Sequence, residues 1–380
     1  MFLLPSPDWC SWLAVPLFGA WVLEAWLTRV RLRDLPGLPA AGLAGPMPSV
    51  ALCIPARNEE LELGRALDGW LGQDFPDLRI LVVDDGSTDR TPAILAERAA
   101  RHPGALRIIR NDQLPPGWLG KNHALDLACR QPEALGADWL LFADADAVAA
   151  PDLLRRAFAF LEQHPADIFT LMPALDAEGF AERVFLPVAN MFFLWLVPFR
   201  RVPDPRSRAC CAVGSFILVR RAAYDAVAGH AGAPMAAVDD MLLAHRVKAA
   251  GFTNRAALGG PHLRLRMYHG CGEIIQGSRK NLLGLPYLFP LAPLVLAGIL
   301  LGTQGCVLLV LTGQPWLGLL LWLLVPPLLA EVHQRFSPRP VDLLWAFWPI
   351  SGLLAAAALM LAFVDRLRHI NHWRGRNVRI

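Results

Sequence analysis

The chain has 380 residues, of which 54% are hydrophobic, and its mean hydropathy is +0.37. This value is too high for a purely water-soluble protein, and the apolar excess lies at the two ends of the chain. The formal net charge of +3 argues against the basic face that a nucleic-acid-binding domain requires. We therefore expect a membrane-bound protein that does not bind nucleic acid.

The first predicted element is an apolar stretch from Trp9 to Val30. About 20 apolar residues are enough to span a bilayer, so residues 1–35 are predicted to form a transmembrane anchor. Arg29, Arg31 and Arg33 follow this stretch, whereas a cleaved signal peptide has its positive charge before the apolar region. By the positive-inside rule, the domain that follows is expected in the cytoplasm, on the inner (plasma) membrane.

Strand and helix patterns alternate between residues 48 and 270, after a linker rich in Pro, Gly and Ala. Such alternation is typical of an α/β fold with a mainly parallel, Rossmann-like sheet and helices on both faces. The predicted strands are Ser49–Ile54, Leu78–Val83, Leu106–Ile109 and Trp139–Ala143, and the predicted helices are Leu61–Leu71, Thr91–Arg101 and Asn122–Arg130.

Acidic residues directly follow two of these strands. LVVDDGSTDRT places Asp84 and Asp85 after the second strand, and LLFADAD places Asp144 and Asp146 after the fourth. Open α/β sheets bind ligands at the carboxyl ends of their strands, and two carboxylates one residue apart suit Mg²⁺ or Mn²⁺ with a diphosphate. The pattern predicts a nucleotide-sugar site. The alternatives are an Asx-type turn for Asp84 and Asp85, and plain turn aspartates for the second pair.

Five motifs, in their order and spacing, resemble the inverting family 2 glycosyltransferases, which have the GT-A fold. The resemblance covers roughly residues 48–284. Each motif alone is weak, but the five motifs in register are specific. The PPGWLGK element and the C-terminal HWRGR are most similar to the carotenoid and hopanoid-associated branch of that family. The motifs are IPARNEE (Ile54–Glu60), VVDDGSTDRT (Val82–Thr91), GWLGKNHAL (Gly117–Leu125), DAD (Asp144–Asp146) and AVDDM (Ala237–Met241).

The resemblance implies a GT-A domain at residues 48–270 that binds a UDP-sugar together with Mg²⁺ or Mn²⁺. An acidic residue at Asp84 or Asp85 contacts uracil or ribose in the family, and carboxylates accept hydrogen bonds from such groups. Asp144 and Asp146 are the implied metal ligands. Lys121, at a predicted helix start, is expected to approach phosphate oxygens, with a solvated surface lysine as the alternative. The turn implied to hold the nucleoside contains Pro55, Ala56, Arg57 and Glu59.

The segment AVDDMLLAHRVKAAG predicts an amphipathic helix that begins at Asp239 and Asp240. The resemblance implies that Asp240 is the general base, which takes the proton of an acceptor hydroxyl during a single displacement with inversion. A carboxylate that only caps the helix is the alternative. In CAVGSFILVRRAAY, a predicted strand and helix, Gly214 and Ser215 are expected either to line the sugar and acceptor pocket or to form a tight bend.

Two segments point to contact between the domain and a membrane. The apolar, aromatic run Phe180–Phe199 predicts an interfacial helix, with a buried domain helix as the alternative. QGSRK lies in a predicted interfacial segment, residues 271–284, and is similar to the QxxRW motif of processive polysaccharide synthases, but Lys280 replaces Trp. Arg279 is expected to contact the donor diphosphate, or to belong to a basic collar that attracts anionic headgroups.

Apolar stretches near the C-terminus predict two or three membrane helices within residues 285–364, followed by a basic tail, 365–380. Basic residues after the second and the third stretch both favour the cytoplasmic side, which three full crossings do not satisfy. The stretches are Leu285–Leu311, Trp316–Ala330 and Leu343–Val364.

The combined expectation is a multi-pass membrane enzyme that transfers a hexose from a UDP-sugar to a hydrophobic lipid, with a carotenoid or other polyisoprenoid-derived acceptor implied by the resemblance alone. A polysaccharide synthase and a non-catalytic nucleotide-sugar-binding subunit of an envelope complex are the alternatives. Seven cysteines show no zinc-binding spacing, and buried, reduced thiols agree with a cytosolic domain.

Overall fold

The computed structural model describes residues 9–283, 286–337, 340, 342–368, 372–373 and 376–377. The chain divides into two compact units. The sheet unit consists of Asp34–Asp176 and Val197–Met267, and the helical unit consists of Met1–Arg33, Ala177–Leu196 and Tyr268–Ile380.

Strands and helices occur in the following order along the described chain. The strands are β1 Val50–Ala56, β2 Leu78–Asp84, β3 Leu106–Arg110, β4 Trp139–Phe142, β5 Val148–Ala149, β6 Ile168–Leu175, β7 Ile217–Arg220, β8 Asn254–Leu265, β9 His372–Trp373 and β10 Arg376–Asn377. The helices are α1 Trp9–Arg33, α2 Leu63–Leu71, α3 Thr91–Arg101, α4 Gly120–Cys129, α5 Pro132–Leu135, α6 Leu153–Gln163, α7 Phe180–Leu196, α8 Arg221–Ala226, α9 Asp239–Ala249, α10 Cys271–Leu283, α11 Ala292–Leu311, α12 Pro315–Phe336 and α13 Pro349–Arg368.

The sheet unit is built on an eight-stranded mixed sheet with the order β3-β2-β1-β4-β7-β6-β8-β5. Strands β1 to β4 are mutually parallel where they pair, whereas β7 runs antiparallel to both β4 and β6. The predicted parallel half is therefore confirmed. The second half adds strands of both directions, and its β5 runs antiparallel to β8.

Side chains alternate between the two faces of the central strand β1, and both faces are buried. Val50, Leu52 and Ile54 belong to the core that includes α2, α3 and α6. Ala51 and Cys53 belong to the opposite core, which includes α4, α8 and α9. A strand covered on both faces needs apolar residues at every position, and this explains the continuous apolar sequence of β1.

The predicted linker lies against the sheet unit. Leu35 is fully buried, and the backbone N–H of Leu258 in β8 donates to Pro36 (2.8 Å). Further along, the N–H of Leu43 donates to the carbonyl of Arg155 (2.9 Å). This segment is thus part of the fold of the sheet unit.

The helical unit contains three helices that are long and apolar enough to cross a membrane: Phe289–Leu311, Pro315–Phe336 and Pro349–Arg368. Three C-terminal helices of the described chain thus have the length and composition for a crossing, whereas the number of crossings, two or three, stays a prediction. Helix α1 forms where the anchor is predicted but is not among these three, and its membrane crossing stays a prediction. Glu24 is buried in this unit, where Thr28 Oγ1 (2.6 Å) and Trp195 Nε1 (2.5 Å) donate to its carboxylate.

Helix α7 lies inside the predicted catalytic domain in sequence, but it groups with the helical unit, where it packs against α1, α12 and α13. One side is buried, whereas Phe180, Phe192, Trp195 and Leu196 are exposed. The helix therefore combines a packed face with an exposed apolar one.

Candidate active site

The turns after β1 and β2 hold each other at the carboxyl edge of the sheet. Arg57 donates through Nη1 to the carbonyl of Asp85 (3.1 Å), and its guanidinium also lies 3.7 Å from the Asp85 carboxylate. Asn58 has a φ of 53° and accepts the N–H of Thr88 (2.8 Å) through its side chain. Asparagine tolerates this left-handed conformation better than most residues. The predicted nucleoside turn and the acidic turn are therefore one connected structure.

Asp84 and Asp85 have different roles within this structure. The Asp84 carboxylate accepts the N–H of Ser87 (3.0 Å), the Asx-type turn that the sequence offers as an alternative. Asp85 instead accepts from Asn111 Nδ2 (2.6 Å), which also lies 3.2 Å from His123 Nδ1. Both aspartates are buried. Asp85 is thus the acid of this pair whose carboxylate is held by side chains from other segments.

Lys121 bridges the acidic turn after β4 and the start of α9. Its Nζ lies 2.8 Å from Asp144 Oδ1 and 3.6 Å from Asp239 Oδ2. Burial opposes the charge of Lys121, but the carboxylates of Asp144, Asp239 and Asp240 raise its pKa well above the usual range. The lysine is therefore a fixed cation in a group of acids, and the surface-lysine alternative does not describe it.

Gly214 fits between these charged groups because it has no side chain. A Cβ there would lie 2.9 Å from both Asp144 Oδ2 and Lys121 Nζ, closer than real Cβ contacts. The N–H of Gly214 donates to Asp240 Oδ2 (3.1 Å). The glycine thus joins the end of the sheet to the predicted general base, and Asp144 and Asp240 meet around it.

The Asp240 carboxylate has an altered acidity. Burial and the neighbouring Asp239 carboxylate raise the pKa of Asp240, the Lys121 ammonium opposes them, and the net pKa is about 6. The N–H groups of Gly214 and Met241 donate to its two oxygens (3.1 and 2.7 Å). A fixed carboxylate with a pKa near neutrality has the properties of a general base.

Asn122 fixes the loop that leads into α9, and the sequence analysis did not identify it. This side chain is buried, and its Nδ2 lies within hydrogen-bond distance of the carbonyls of Ala233 (3.3 Å), Pro234 (3.0 Å) and Ala236 (3.1 Å). Because Asn122 directly follows Lys121, one turn of α4 positions both the cation and the loop before the acids of α9. The sequence around Asn122 contains no pattern that indicates this role.

A small pocket lies directly beside this group of charges. Pro55, Lys121, Gly214 and Asp239 line it, together with the buried His230, whose Nδ1 is 2.8 Å from Tyr224 Oη. His230 lines this pocket and is not among the residues that the sequence predicted. The only sequence feature at His230 is the Gly-rich turn in which it lies.

The donor set at the acidic turn after β4 fits a hard divalent cation. Asp144 and Asp146 are both half-buried and supply carboxylate oxygens, and Lys121 already places a positive charge on Asp144. Among the described residues there is no group of three or more His, Cys, Asp or Glu side chains arranged to bind a metal. A cation bound by this turn would need oxygen ligands from a bound diphosphate and water.

The structure brings most of the predicted residues to one edge of the sheet unit. Pro55, Lys121, Asp144 and Asp240 meet around Gly214, whereas Ala56, Arg57, Glu59 and Asp85 belong to the adjoining turns. Ser215 follows Gly214 and is buried. Arg279 is different, because it lies in α10 of the helical unit and pairs with Asp365 of α13. Its contact with a diphosphate stays a prediction.

Comparisons with known proteins agree with this geometry. The family model described as glycosyl transferase family 2 matches residues 51–227. A solved mannosyltransferase from Pyrobaculum calidifontis, in complex with GDP-Man and Mn²⁺, is similar over 94% of this chain and 99% of its own, with a TM-score of 0.55 and 18% identity. At this identity the likeness shows the fold, which is GT-A.

Two curated relatives are similar in sequence. One is a beta-monoglucosyldiacylglycerol synthase from Synechocystis sp., 36% identical over 158 residues, or 40% of this chain. The other is a 4,4'-diaponeurosporenoate glycosyltransferase from Staphylococcus aureus, 26% identical over 239 residues, or 62% of this chain. The matched regions span 31% and 60% of the lengths of these relatives.

Proposed function

We propose that this chain is a membrane-bound inverting glycosyltransferase that transfers a hexose from a UDP-sugar to a hydrophobic lipid, and the match of residues 51–227 to the family 2 glycosyltransferase model supports this proposal. The observation that supports this most strongly is the convergence of Lys121, Asp144 and Asp240 around Gly214. A cation, a pair of acids for the diphosphate side and a carboxylate with a pKa of about 6 are the groups that such a transfer needs.

The donor nucleoside lies in the turns after β1 and β2. Asp85 accepts hydrogen bonds from the uracil imide or a ribose hydroxyl, and Asn111 holds its carboxylate in place. Arg57 fixes the Asp85 backbone and keeps positive charge beside the carboxylate. The turn bounded by Pro55 and Glu59 forms the opposite wall of this site.

The diphosphate lies by Lys121, Asp144 and Asp146. Asp144 and Asp146 hold Mg²⁺ or Mn²⁺, which when bound offsets the negative charge of the leaving diphosphate. Lys121 contributes a further positive charge through its ammonium group, which the neighbouring carboxylates keep protonated against the effect of burial. Because Gly214 has no side chain, Lys121 and Asp144 can lie close to the backbone at this position.

Asp240 performs the proton transfer. Its carboxylate accepts the proton of the acceptor hydroxyl as the acceptor oxygen forms a bond to the anomeric carbon and the bond from that carbon to the diphosphate breaks. The electron pair of the broken bond remains on UDP. Attack from the face opposite to the leaving group inverts the anomeric configuration.

The acceptor is a hydrophobic lipid with a hydroxyl or carboxyl group. The names of both curated relatives refer to lipid-type molecules, a diacylglycerol and a diaponeurosporenoate. This supports an acceptor of the same class. Three membrane-length helices support a place for the enzyme in a membrane, where such acceptors dissolve. We propose a multi-pass arrangement in the inner membrane with the sheet unit in the cytoplasm.

The test is transfer of labelled sugar by the purified chain. Membranes or total lipid extracts are incubated with a panel of labelled UDP-hexoses, with and without Mg²⁺ or Mn²⁺, and the product is separated by size and polarity. The proposal predicts metal-dependent label in a lipid-soluble product. Label in a high-molecular-weight polymer would identify a polysaccharide synthase, and no transfer with any donor would favour a non-catalytic subunit.

A further inference from the structure

A strongly basic loop follows α7 directly in sequence. The chain leaves α7 at Leu196 and enters the segment FRRVPDPRSR, residues 199–208, called here the arginine loop. Four of its ten residues are arginine: Arg200, Arg201, Arg206 and Arg208. The functional site described above uses none of them.

All four arginine side chains are exposed. Within the described part of the chain, no carboxylate lies within ion-pair distance of any of their guanidinium groups. Most other exposed arginines of the sheet unit are paired, as Arg101 is with Glu97 (2.5 Å) and Arg130 is with Asp126 (2.7 Å). The loop is therefore a concentration of uncompensated positive charge.

The acid of the loop does not neutralise this charge. Asp204 Oδ1 accepts the backbone N–H of Arg206 (2.9 Å), and the Asp204 carbonyl accepts that of Ser207 (3.1 Å). Asp204 thus forms the turn that separates the two pairs of arginines. This arrangement fixes the backbone and leaves the guanidinium groups available to a partner.

The buried side chain of Lys248 in α9 holds the loop in place. Its Nζ donates to the carbonyls of Val202 (2.6 Å) and Ala209 (2.5 Å) and lies 3.3 Å from that of Arg201. Phe199 and Val202 are buried. A loop tied at both ends has a fixed backbone, so this backbone loses little conformational freedom when the arginines bind a partner.

The chemistry of the partner follows from this charge and from the neighbouring sequence. Guanidinium groups bind phosphate oxygens in bidentate geometry. The helix before the loop ends in exposed apolar residues, Trp195 and Leu196, and packs against membrane-length helices of its own unit. Basic residues that follow such a segment bind anionic headgroups at a bilayer surface.

We propose that the arginine loop is a docking site for anionic phospholipid headgroups, and that it makes the enzyme sensitive to the anionic lipid content of its membrane. This inference rests on the proposed membrane-bound function. After the arginine loop, the chain continues through Cys211 and Ala212 to Gly214. The N–H of Ala212 lies 3.4 Å from Met241 Sδ, and the N–H of Gly214 donates to Asp240, so this segment contacts the first turn of α9. Headgroup binding at the arginine loop is therefore connected through this segment to the position of Asp240.

The test uses the full chain in nanodiscs of phosphatidylcholine, alone or mixed with phosphatidylglycerol. Electron spin resonance with spin-labelled lipids measures lipid preference, and labelled-sugar transfer measures turnover. We expect a preference of at least about fivefold for phosphatidylglycerol, weakened by salt, and a higher turnover with this lipid. The variant R200Q/R201Q/R206Q/R208Q should lose both effects and keep the turnover in pure phosphatidylcholine. The variant R206Q/R208Q should lose part of the lipid preference and part of the increase in turnover. It replaces the fourfold variant if that variant does not fold.

The matched control is R79Q/R101Q/R107Q/R130Q, which removes the same charge from exposed arginines that are paired with acids. It should respond to phosphatidylglycerol as the wild type does. A wild type without lipid preference, or an arginine-loop variant that keeps it, would overturn the proposal. Because lipid preference is measured without turnover, the docking site is tested even if the proposed transferase activity is absent.

Discussion

Asp240 is the residue on which the proposed chemistry depends. Its carboxylate is buried next to Asp239, which favours the protonated form, and opposite Lys121, which favours the ionised form. The balance gives a pKa of about 6, so the group is ionised at neutral pH and can still accept a proton. Two backbone N–H groups orient it. Val238 is the N-cap residue of α9 and has no side-chain cap hydrogen bond, whereas Asp240 lies in the first turn and accepts the N–H of Met241.

Replacement of Lys121 by methionine should move the acid limb of the pH–rate profile to higher pH. The ammonium stabilises the Asp240 carboxylate, so its loss raises the pKa of Asp240 above about 6, and the base is protonated over a wider range. The rate of transfer should also fall by at least about tenfold, because one cation near the diphosphate is lost. Lys121→Arg keeps the charge and should keep the limb in place. If the acid limb of the pH–rate profile is not shifted in Lys121→Met, Lys121 does not control the pKa of Asp240.

Replacement of Gly214 by alanine should abolish most of the activity with little effect on folding. The added Cβ would lie 2.9 Å from Asp144 Oδ2 and from Lys121 Nζ, so these side chains must separate. We expect the rate of sugar transfer to fall by about 100-fold, as for displaced catalytic groups. Gly45→Ala, at a linker position with open space, is the control. Wild-type transfer by Gly214→Ala would show that these groups need not be so close.

Asp84, Asp85, Asp144 and Asp146 were predictable because they lie at the ends of strands, and the same rule applies to Asn111, which follows β3 and was not predicted. Lys121 was predicted from its helix start, but its pairing with Asp144 and Asp239 depends on tertiary distances. Asn122 acts through contacts with a loop distant in sequence, and His230 is held by Tyr224. No local pattern marks such contacts, because the partners of Asn122 are backbone carbonyls of residues that follow it by more than 100 positions.

At the scale of elements, the first half of the sheet unit was predictable. Strands β1 to β4 are short apolar runs separated by amphipathic helices, and α3 has the predicted bounds. The strands β5, β6 and β8 were missed. β5 has two residues, and β8 contains Gly259, Gly260 and Pro261, which weaken a strand pattern. Their pairing is fixed by tertiary contacts between β6 and β8.

Close packing of the membrane-length helices depends on small residues. Replacement of Gly352 in α13 by alanine should destabilise the helical unit, because a Cβ there would overlap Thr303 of α11. We expect a loss of about 1–3 kcal/mol, typical of overpacking. Gly298→Ala, in α11 with open space around it, is the matched control. Thermal unfolding in detergent measures the stability of both variants. Equal melting temperatures for Gly352→Ala and Gly298→Ala would contradict close packing between Gly352 and Thr303.

At the scale of the molecule, composition and hydropathy predicted a membrane protein, and the structure contains three helices suited to that role. The sequence did not predict that α7 would group with these helices, because the segment Val197–Met267 of the sheet unit separates α7 from them along the chain. The basic residues near the last two helices leave the orientation of the crossings a prediction, since both groups favour the same side.

The chain should remain in the membrane fraction after an alkaline carbonate wash. Three apolar helices of 20 to 23 residues bury enough apolar surface in lipid to resist removal, whereas a protein held by surface charge alone is released. Fractionation followed by immunoblotting measures this. A known peripheral protein in the same membranes provides the control, and release of this chain together with it would contradict the membrane-spanning assignment.

The most direct test of the central claim is the pH dependence of labelled-sugar transfer by the wild type and by Asp240→Asn. For the wild type, kcat/KM should fall as the pH decreases through about 6, because the Asp240 carboxylate becomes protonated. Asp240→Asn should be slower by at least about 100-fold and should lack this limb. Transfer by Asp240→Asn at the wild-type rate, with the same pH profile, would contradict the account.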